Sequence, residues 1–111
     1  DYLTGILKQG CFLGMDRYPG GRNGGLQWDE RTQVVKQLID LGYASHTTLS
    51  HDWGGPRPAP QDVIEMRKIY NPDDFCFIVR RVLPRLRELG VSEQDIEDMT
   101  VNGPRRFFGG D

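Results

Sequence analysis

The chain has 111 residues, of which 37% are hydrophobic, 27% charged and 10% aromatic, so it accommodates one globular domain at most. Its 14 Lys and Arg against 16 Asp and Glu give a net charge of −2, which leaves no basic surplus for binding nucleic acid or an anionic membrane. The sequence shows neither a membrane-spanning apolar run nor a signal pattern. Cys11 and Cys76 lie within apolar runs, as buried reduced thiols do, so we expect a cytoplasmic protein.

Helices and strands alternate along the predicted chain. The strands are short runs bounded by turn residues, whereas the helices carry apolar residues at spacings of three and four. Gly10, Gly42 and Gly90 are each placed to end a helix. In chain order the predicted elements are a helix over 2–9, a strand over 11–15 buried on both faces, a glycine-rich loop over 18–25, a helix over 29–41, a strand over 47–50, and helices over 61–69 and 75–89.

The strongest helical pattern follows the two acids at 73–74. Pro84 interrupts this pattern and is expected to kink the helix, because proline has no backbone N–H to donate. Ser92 and Pro104 mark the starts of two further short helices. The apolar stripe of the long helix consists of Phe75, Ile78, Val79, Val82, Leu83, Leu86 and Leu89.

Strands that alternate with helices indicate βαβ units and a parallel sheet. A parallel sheet needs both faces covered and several neighbouring strands, and the pattern predicts only two strands here. The chain also starts in mid-helix without an initiator Met. We therefore expect the chain to be a piece of a larger assembly.

Each predicted strand ends in an aspartate that opens a loop. Asp16 follows the first strand, and Asp52 follows the second. In α/β sheets the carboxyl ends of the strands face the active site, where a carboxylate can bind a divalent metal or accept a proton. The pattern leaves open the alternative that each aspartate only caps the backbone that follows it.

Side-chain alternation along the second strand separates its polar residues. If Asp52 faces the active site, then Ser50, Thr48 and His46 share its face, with His46 at the opposite end of the strand. His51 points the other way, toward the helices, and cannot reach the same metal from a regular strand. We therefore expect His51 to be a hydrogen-bonded histidine of the helical layer.

Five segments of the chain carry motifs that are specific when their order and spacing are taken together. They are 12–18 (FLGMDRY), 38–43 (LIDLGY), 49–53 (LSHDW), 82–91 (VLPRLRELGV) and 100–106 (TVNGPRR). In this order they resemble the last strands and helices of the phosphotriesterase family, which belongs to the amidohydrolase superfamily. The resemblance covers nearly the whole chain.

The resemblance implies a metal-dependent hydrolase built as a (β/α)8 TIM barrel with two divalent metal ions, usually zinc. Residues 1–111 would then form the C-terminal part of a single barrel domain, with about its last two strands and their helices. Asp52 would be a metal ligand and the catalytic proton acceptor, while Asp16, Arg17 and Trp53 would bind the substrate. The Asp-Arg-Tyr sequence is that of the lactone-hydrolysing members, so the expected substrates are lactones, other esters or phosphotriesters.

The chain departs from the family in its other metal ligands. The family takes a His-x-His pair, a carboxylated lysine and two further histidines from earlier strands, and none of these is present here. We therefore expect the chain alone to be inactive, and the rest of the barrel to come from the parent chain or another chain, in a homo-oligomer that acts on a small molecule. The alternative is a non-catalytic remnant or interaction module derived from the barrel.

Overall fold

Two parallel strands pack against a layer of helices in the computed structural model, which describes residues 2–20, 25–51 and 60–109. Within those ranges no helix is long and apolar enough to cross a bilayer. The elements in chain order are α1 (Tyr2–Leu7), β1 (Leu13–Met15), α2 (Trp28–Asp40), a 3₁₀ turn (Ala44–His46), β2 (Thr47–Leu49), α3 (Gln61–Tyr70), a 3₁₀ turn (Asp74–Cys76), a π turn (Ile78–Val82), α4 (Leu83–Glu88), α5 (Glu93–Glu97), a second π turn (Asp98–Asn102) and α6 (Gly103–Phe107).

The sheet has the predicted parallel pairing. Helix α2 connects β1 to β2, and the register places Gly14 opposite Thr48. Two further hydrogen bonds continue the ladder past the strands, from Ser50 N to Met15 O at 3.2 Å and from Tyr18 N to Ser50 O at 3.3 Å. The carboxyl ends of the two strands are therefore held side by side.

The two faces of this sheet differ in burial. Met15 and Leu49 pack against the helical core, and Thr47 is fully buried, whereas Gly14 is exposed. The prediction that β1 is buried on both faces is wrong for this chain, because the described residues cover only one face of that strand.

The core lies between α2 and the helical segments that follow α3. An ion pair at its edge, from Arg85 Nε to Asp29 Oδ1 at 2.7 Å, links α4 to α2. Trp28, the first residue of α2, packs edge-on against Phe77 with ring centroids 5.8 Å apart. The buried members of the core are Tyr18, Val35, Ile39, Ala44, Phe77, Ile78, Val82, Leu83, Leu86, Val91, Ile96 and Met99.

Each of the two prolines at 84 and 104 follows a π turn. Proline has no N–H to donate to the carbonyl four residues earlier, so the helical hydrogen-bond ladder cannot continue through it unchanged. Before Pro84, the N–H of Leu83 donates to Ile78 O, five residues back. Before Pro104 the preceding residue likewise donates to Asp98 O. The kink predicted at Pro84 is thus a change of hydrogen-bond spacing, of the kind that π-bulges introduce.

These changes of helix type shift which side chains face the core. Four members of the predicted stripe are buried, but Phe75 is 51% and Val79 65% exposed, while Phe77 is buried. A regular helical spacing does not hold across 3₁₀ and π turns, because each advances the chain by a different angle. Cys76, in the 3₁₀ turn, and Cys11, just before β1, are both exposed thiols, so the prediction that they are buried is wrong.

Candidate functional site

Asp16 and Ser50 meet at the carboxyl ends of the two strands. Ser50 Oγ donates a hydrogen bond of 2.8 Å to Asp16 Oδ1. A Cβ added to Gly14 would lie 3.0 Å from Asp16 Oδ1 and 3.9 Å from Thr48 Oγ1, so these polar groups share the exposed face of the sheet. The predicted alternation is therefore confirmed for Thr48 and Ser50.

His51 lies on the other side of the strand, against the helices. Its Nε2 accepts a hydrogen bond of 3.1 Å from the backbone N–H of Ile78, and its ring meets that of Phe75 edge-on. Burial lowers the pKa of His51, which favours the neutral ring that can accept this bond. The prediction that His51 is a hydrogen-bonded histidine of the helical layer is confirmed.

His46 is remote from these strand ends. It lies in the 3₁₀ turn before β2, with its ring centroid 4.8 Å from that of Phe12 and its Nδ1 3.1 Å from Ser45 Oγ. This position at the amino end of the strand agrees with the sequence prediction and takes His46 out of the site.

Arg17 turns the chain sharply at the end of β1. Its φ of +66° lies in the left-handed region, which non-glycine residues seldom occupy, and its side chain is exposed. The next residue, Tyr18, is buried, and its hydroxyl lies 3.2 Å from Thr32 Oγ1 of α2. The strand is therefore followed by two polar side chains on the surface, Asp16 and Arg17, and then by the buried Tyr18.

Arg31 is a further residue at the site, and the sequence analysis missed it. Its Nη1 donates to the backbone carbonyl of Asp16 at 2.9 Å, and its Nε donates to Leu26 O at 3.1 Å. In the sequence Arg31 is one charged residue among several on a surface helix, and no motif connects it to a carbonyl 15 residues earlier.

The metal ions that the family implies need more ligands than the described residues supply. In the parts of the chain that the structure describes, no three His, Cys, Asp or Glu side chains form a cluster that could hold a metal ion. Catalytic zinc takes about three protein ligands, so these residues do not fit a metal pair by themselves. The predicted ligand Asp52 and the predicted substrate contact Trp53 both lie outside the described residues.

Similarity to known proteins extends over almost the whole chain. The sequence model of the phosphotriesterase family matches residues 1–108. An aryldialkylphosphatase of Saccharolobus solfataricus is 30% identical over 97% of this chain and 34% of its own length. A phospho-furanose lactonase of Mycoplasmopsis synoviae is 33% identical over 95% of this chain and 27% of its own length.

Comparison with solved structures also finds the phosphotriesterase family. The structure of the phosphotriesterase from Mycobacterium tuberculosis superimposes with a TM-score of 0.79 at 28% identity, over 97% of this chain and 32% of that one. The chain thus spans about a third of the length of the relatives it matches. The predicted fold class, an α/β part of this family's barrel, is confirmed. From its motifs, its βαβ unit and these similarities, the chain belongs to the phosphotriesterase family.

Proposed function

We propose that this chain supplies the C-terminal part of a metal-dependent hydrolase that cleaves lactones, other esters or phosphotriesters. The relatives named above are a phosphatase and a lactonase, which supports hydrolysis as the class of reaction. The observation that carries the proposal is the meeting of Asp16 and Ser50 at the carboxyl ends of neighbouring parallel strands, the place where α/β barrels build active sites. We further propose that the substrate is a small molecule and that the protein is cytoplasmic. Residues 1–111 would form part of one barrel domain.

Asp52 is the residue to which the proposal gives the central chemical role. It stands in the 49–53 segment (LSHDW), one of the five segments that resemble the phosphotriesterase family. On this basis its carboxylate is assigned as a ligand of a divalent metal, expected to be zinc, and as the acceptor of a proton during hydrolysis. If bound there, a metal of this kind would supply water that is ionised at neutral pH.

Asp16, Arg17 and Trp53 are assigned to substrate binding. The Asp16 carboxylate has lone pairs for donors besides Ser50 Oγ, so it can orient a polar group of the substrate while it stays bonded to Ser50. The exposed Arg17 guanidinium carries donors suited to a carbonyl or phosphoryl oxygen. Trp53, whose indole is largely apolar, is assigned to the remainder of the substrate.

The test uses the complete protein that contains this chain. Asp52→Asn keeps the size of the side chain and removes its charge, so we expect turnover of the best substrate among a lactone, an aryl ester and a phosphotriester to fall by about a hundredfold or more. Bound metal per protein, measured by elemental analysis, is expected to fall as well, while the melting temperature changes little. Glu97→Gln, at an exposed position of α5, is the matched control and should leave all three quantities unchanged.

Three results would contradict the proposal. Normal turnover in Asp52→Asn would remove this residue from the mechanism. Full activity after the metal has been stripped by a chelator would remove metal dependence. A complete protein with bound metal and no activity on any of the three substrate classes would favour the alternative of an interaction module derived from the barrel.

A further inference from the structure

The two described ends of the β1–α2 loop, residues 16–20 and 25–27, are held together by contacts. Gly20 and Gln27 form an isolated antiparallel bridge. Arg31, on the first turns of α2, donates from Nη1 to Asp16 O at 2.9 Å and from Nε to Leu26 O at 3.1 Å. One guanidinium therefore joins the start of the loop, where β1 ends, to the end of the loop, where α2 begins.

The closure is tight at Gly20. Its φ is +79°, and a Cβ added there would lie 2.6 Å from Arg31 Nε and closer still to Leu26 O, so only glycine fits without movement of the backbone or of Arg31. The Tyr70 hydroxyl of α3 also donates a hydrogen bond to Gly20 O. Gly20 thus contacts both Arg31 and the end of α3.

Arg31 lies on a helix that is packed into the core. It belongs to the 13-residue helix α2, which buries Thr32, Val35, Leu38 and Ile39 against the rest of the chain. The fixed geometry of a guanidinium lets two of its nitrogens reach two different carbonyls at once. A lysine has a single nitrogen at the end of a flexible chain and cannot reproduce both bonds with the same geometry.

Asp16 is consequently fixed at two points. Arg31 holds its backbone carbonyl, and Ser50 Oγ holds its carboxylate. Arg31 lies on α2, and Ser50 directly follows β2. The position of the Asp16 carboxylate therefore depends on the contacts between the loop ends as well as on the strand pairing.

We propose that Arg31 is a positioning residue for hydrolysis, which acts by fixing Asp16 and the described ends of the β1–α2 loop beside it. This inference rests on the proposed function, because Asp16 is assigned there to substrate binding. Arg31 itself touches only backbone carbonyls in these contacts, so its effect on catalysis must pass through the residues that it holds.

A double-mutant cycle in the complete protein tests whether Arg31 acts on catalysis through Asp16. Arg31→Met keeps the length of the side chain and removes its donors. We expect it to lower kcat/KM by about tenfold when Asp16 is present and by less than about twofold in an Asp16→Ala background, because a side chain that is absent cannot be misplaced. Arg31→Lys should recover part of the loss. Arg105→Met, at an exposed position of α6, is the matched control and should behave as the unmodified protein.

A second readout separates positioning from a general loss of folding. In Arg31→Met, amide hydrogen exchange is expected to accelerate at Tyr18, whose N–H donates to Ser50 O, and at Gln27, while the amides of α4 and α5 stay protected. Equal losses of kcat/KM in both backgrounds, or faster exchange throughout the chain, would overturn the inference. So would an active protein that Arg31→Met leaves unchanged, whereas a complete protein inactive on all three substrate classes would remove the proposed function first and the role of Arg31 with it.

Discussion

Ser50 Oγ and Asp16 Oδ1, 34 residues apart in the sequence, are joined by a hydrogen bond of 2.8 Å across the ends of two parallel strands. The bond is possible because parallel pairing brings the carboxyl ends of β1 and β2 to the same edge. It gives the proposed substrate-binding carboxylate a fixed orientation before any substrate arrives. An orientation set in advance lowers the entropy that must be lost when the substrate binds.

Removal of this donor should affect activity more than stability. Ser50→Ala is expected to lower kcat/KM about fivefold, which corresponds to the loss of about 1 kcal/mol of hydrogen-bond energy at Asp16. The melting temperature should change little, because Ser50 is exposed in this chain. Steady-state kinetics and a thermal melt of the complete protein measure the two quantities. Ser45→Ala, which removes a hydroxyl at the amino end of β2, should leave kcat/KM unchanged, and an equal loss there would contradict the prediction.

The arrangement of the strands could be predicted from sequence because it depends on local patterns. Short runs of apolar and β-branched residues mark the two strands, and a helix between them is the usual connection of parallel strands. Alternation then assigns Ser50 and His51 to opposite sides without knowledge of any contact. All of these inferences use only neighbours along the chain.

The position of Arg31 could not be predicted in this way. Its two acceptors are backbone carbonyls, which every residue carries, so neither is distinguished by its side chain. The contact exists only because Gly20 and Gln27 bring the ends of the loop together. The long helix shows a similar limit, since counting residues at 3.6 per turn assumes a regular helix and the π turn before Pro84 breaks that regularity.

Gly20 should tolerate alanine much less well than another glycine with a similar backbone. Gly42 has φ of +91° and nothing within 4 Å of an added Cβ, so Gly42→Ala is expected to cost only the backbone strain, about 1 kcal/mol. Gly20→Ala adds a clash with Leu26 O and Arg31 and should cost about 3 kcal/mol. Urea unfolding of the complete protein compares the two variants. Equal losses of unfolding free energy in the two variants would mean that the contacts around Gly20 shift without cost when a Cβ is added.

Tyr18 should make the stability of the protein fall at high pH. Burial raises the pKa of Tyr18 from 10.0 to about 12, so the folded state keeps the phenol proton at pH values where the unfolded state has lost it. The stability that this group contributes is intact below about pH 10 and is lost as the pH rises toward 12, a change of about 2–3 kcal/mol.

Substitution by phenylalanine isolates that contribution. Tyr18→Phe has no proton to lose, so the stability of the variant should decline less between pH 10 and 12 than that of the unmodified protein. The variant also lacks the hydroxyl bonded to Thr32, so it should start from a somewhat lower stability at pH 8. Parallel declines in the two proteins would show that other groups account for the alkaline loss.

His51 should be replaceable by a side chain that accepts a hydrogen bond, although it directly precedes the proposed ligand Asp52. His51→Leu leaves the N–H of the buried Ile78 without its acceptor and is expected to destabilise the complete protein by about 1–3 kcal/mol. His51→Gln provides a carbonyl oxygen in its place and should recover most of that stability, together with kcat and bound metal close to normal. Urea unfolding, kinetics and elemental analysis of both variants make the comparison. If His51→Gln folds normally but loses its metal or its turnover, the imidazole takes part in the chemistry, and the assignment of His51 to the helical layer alone would be wrong.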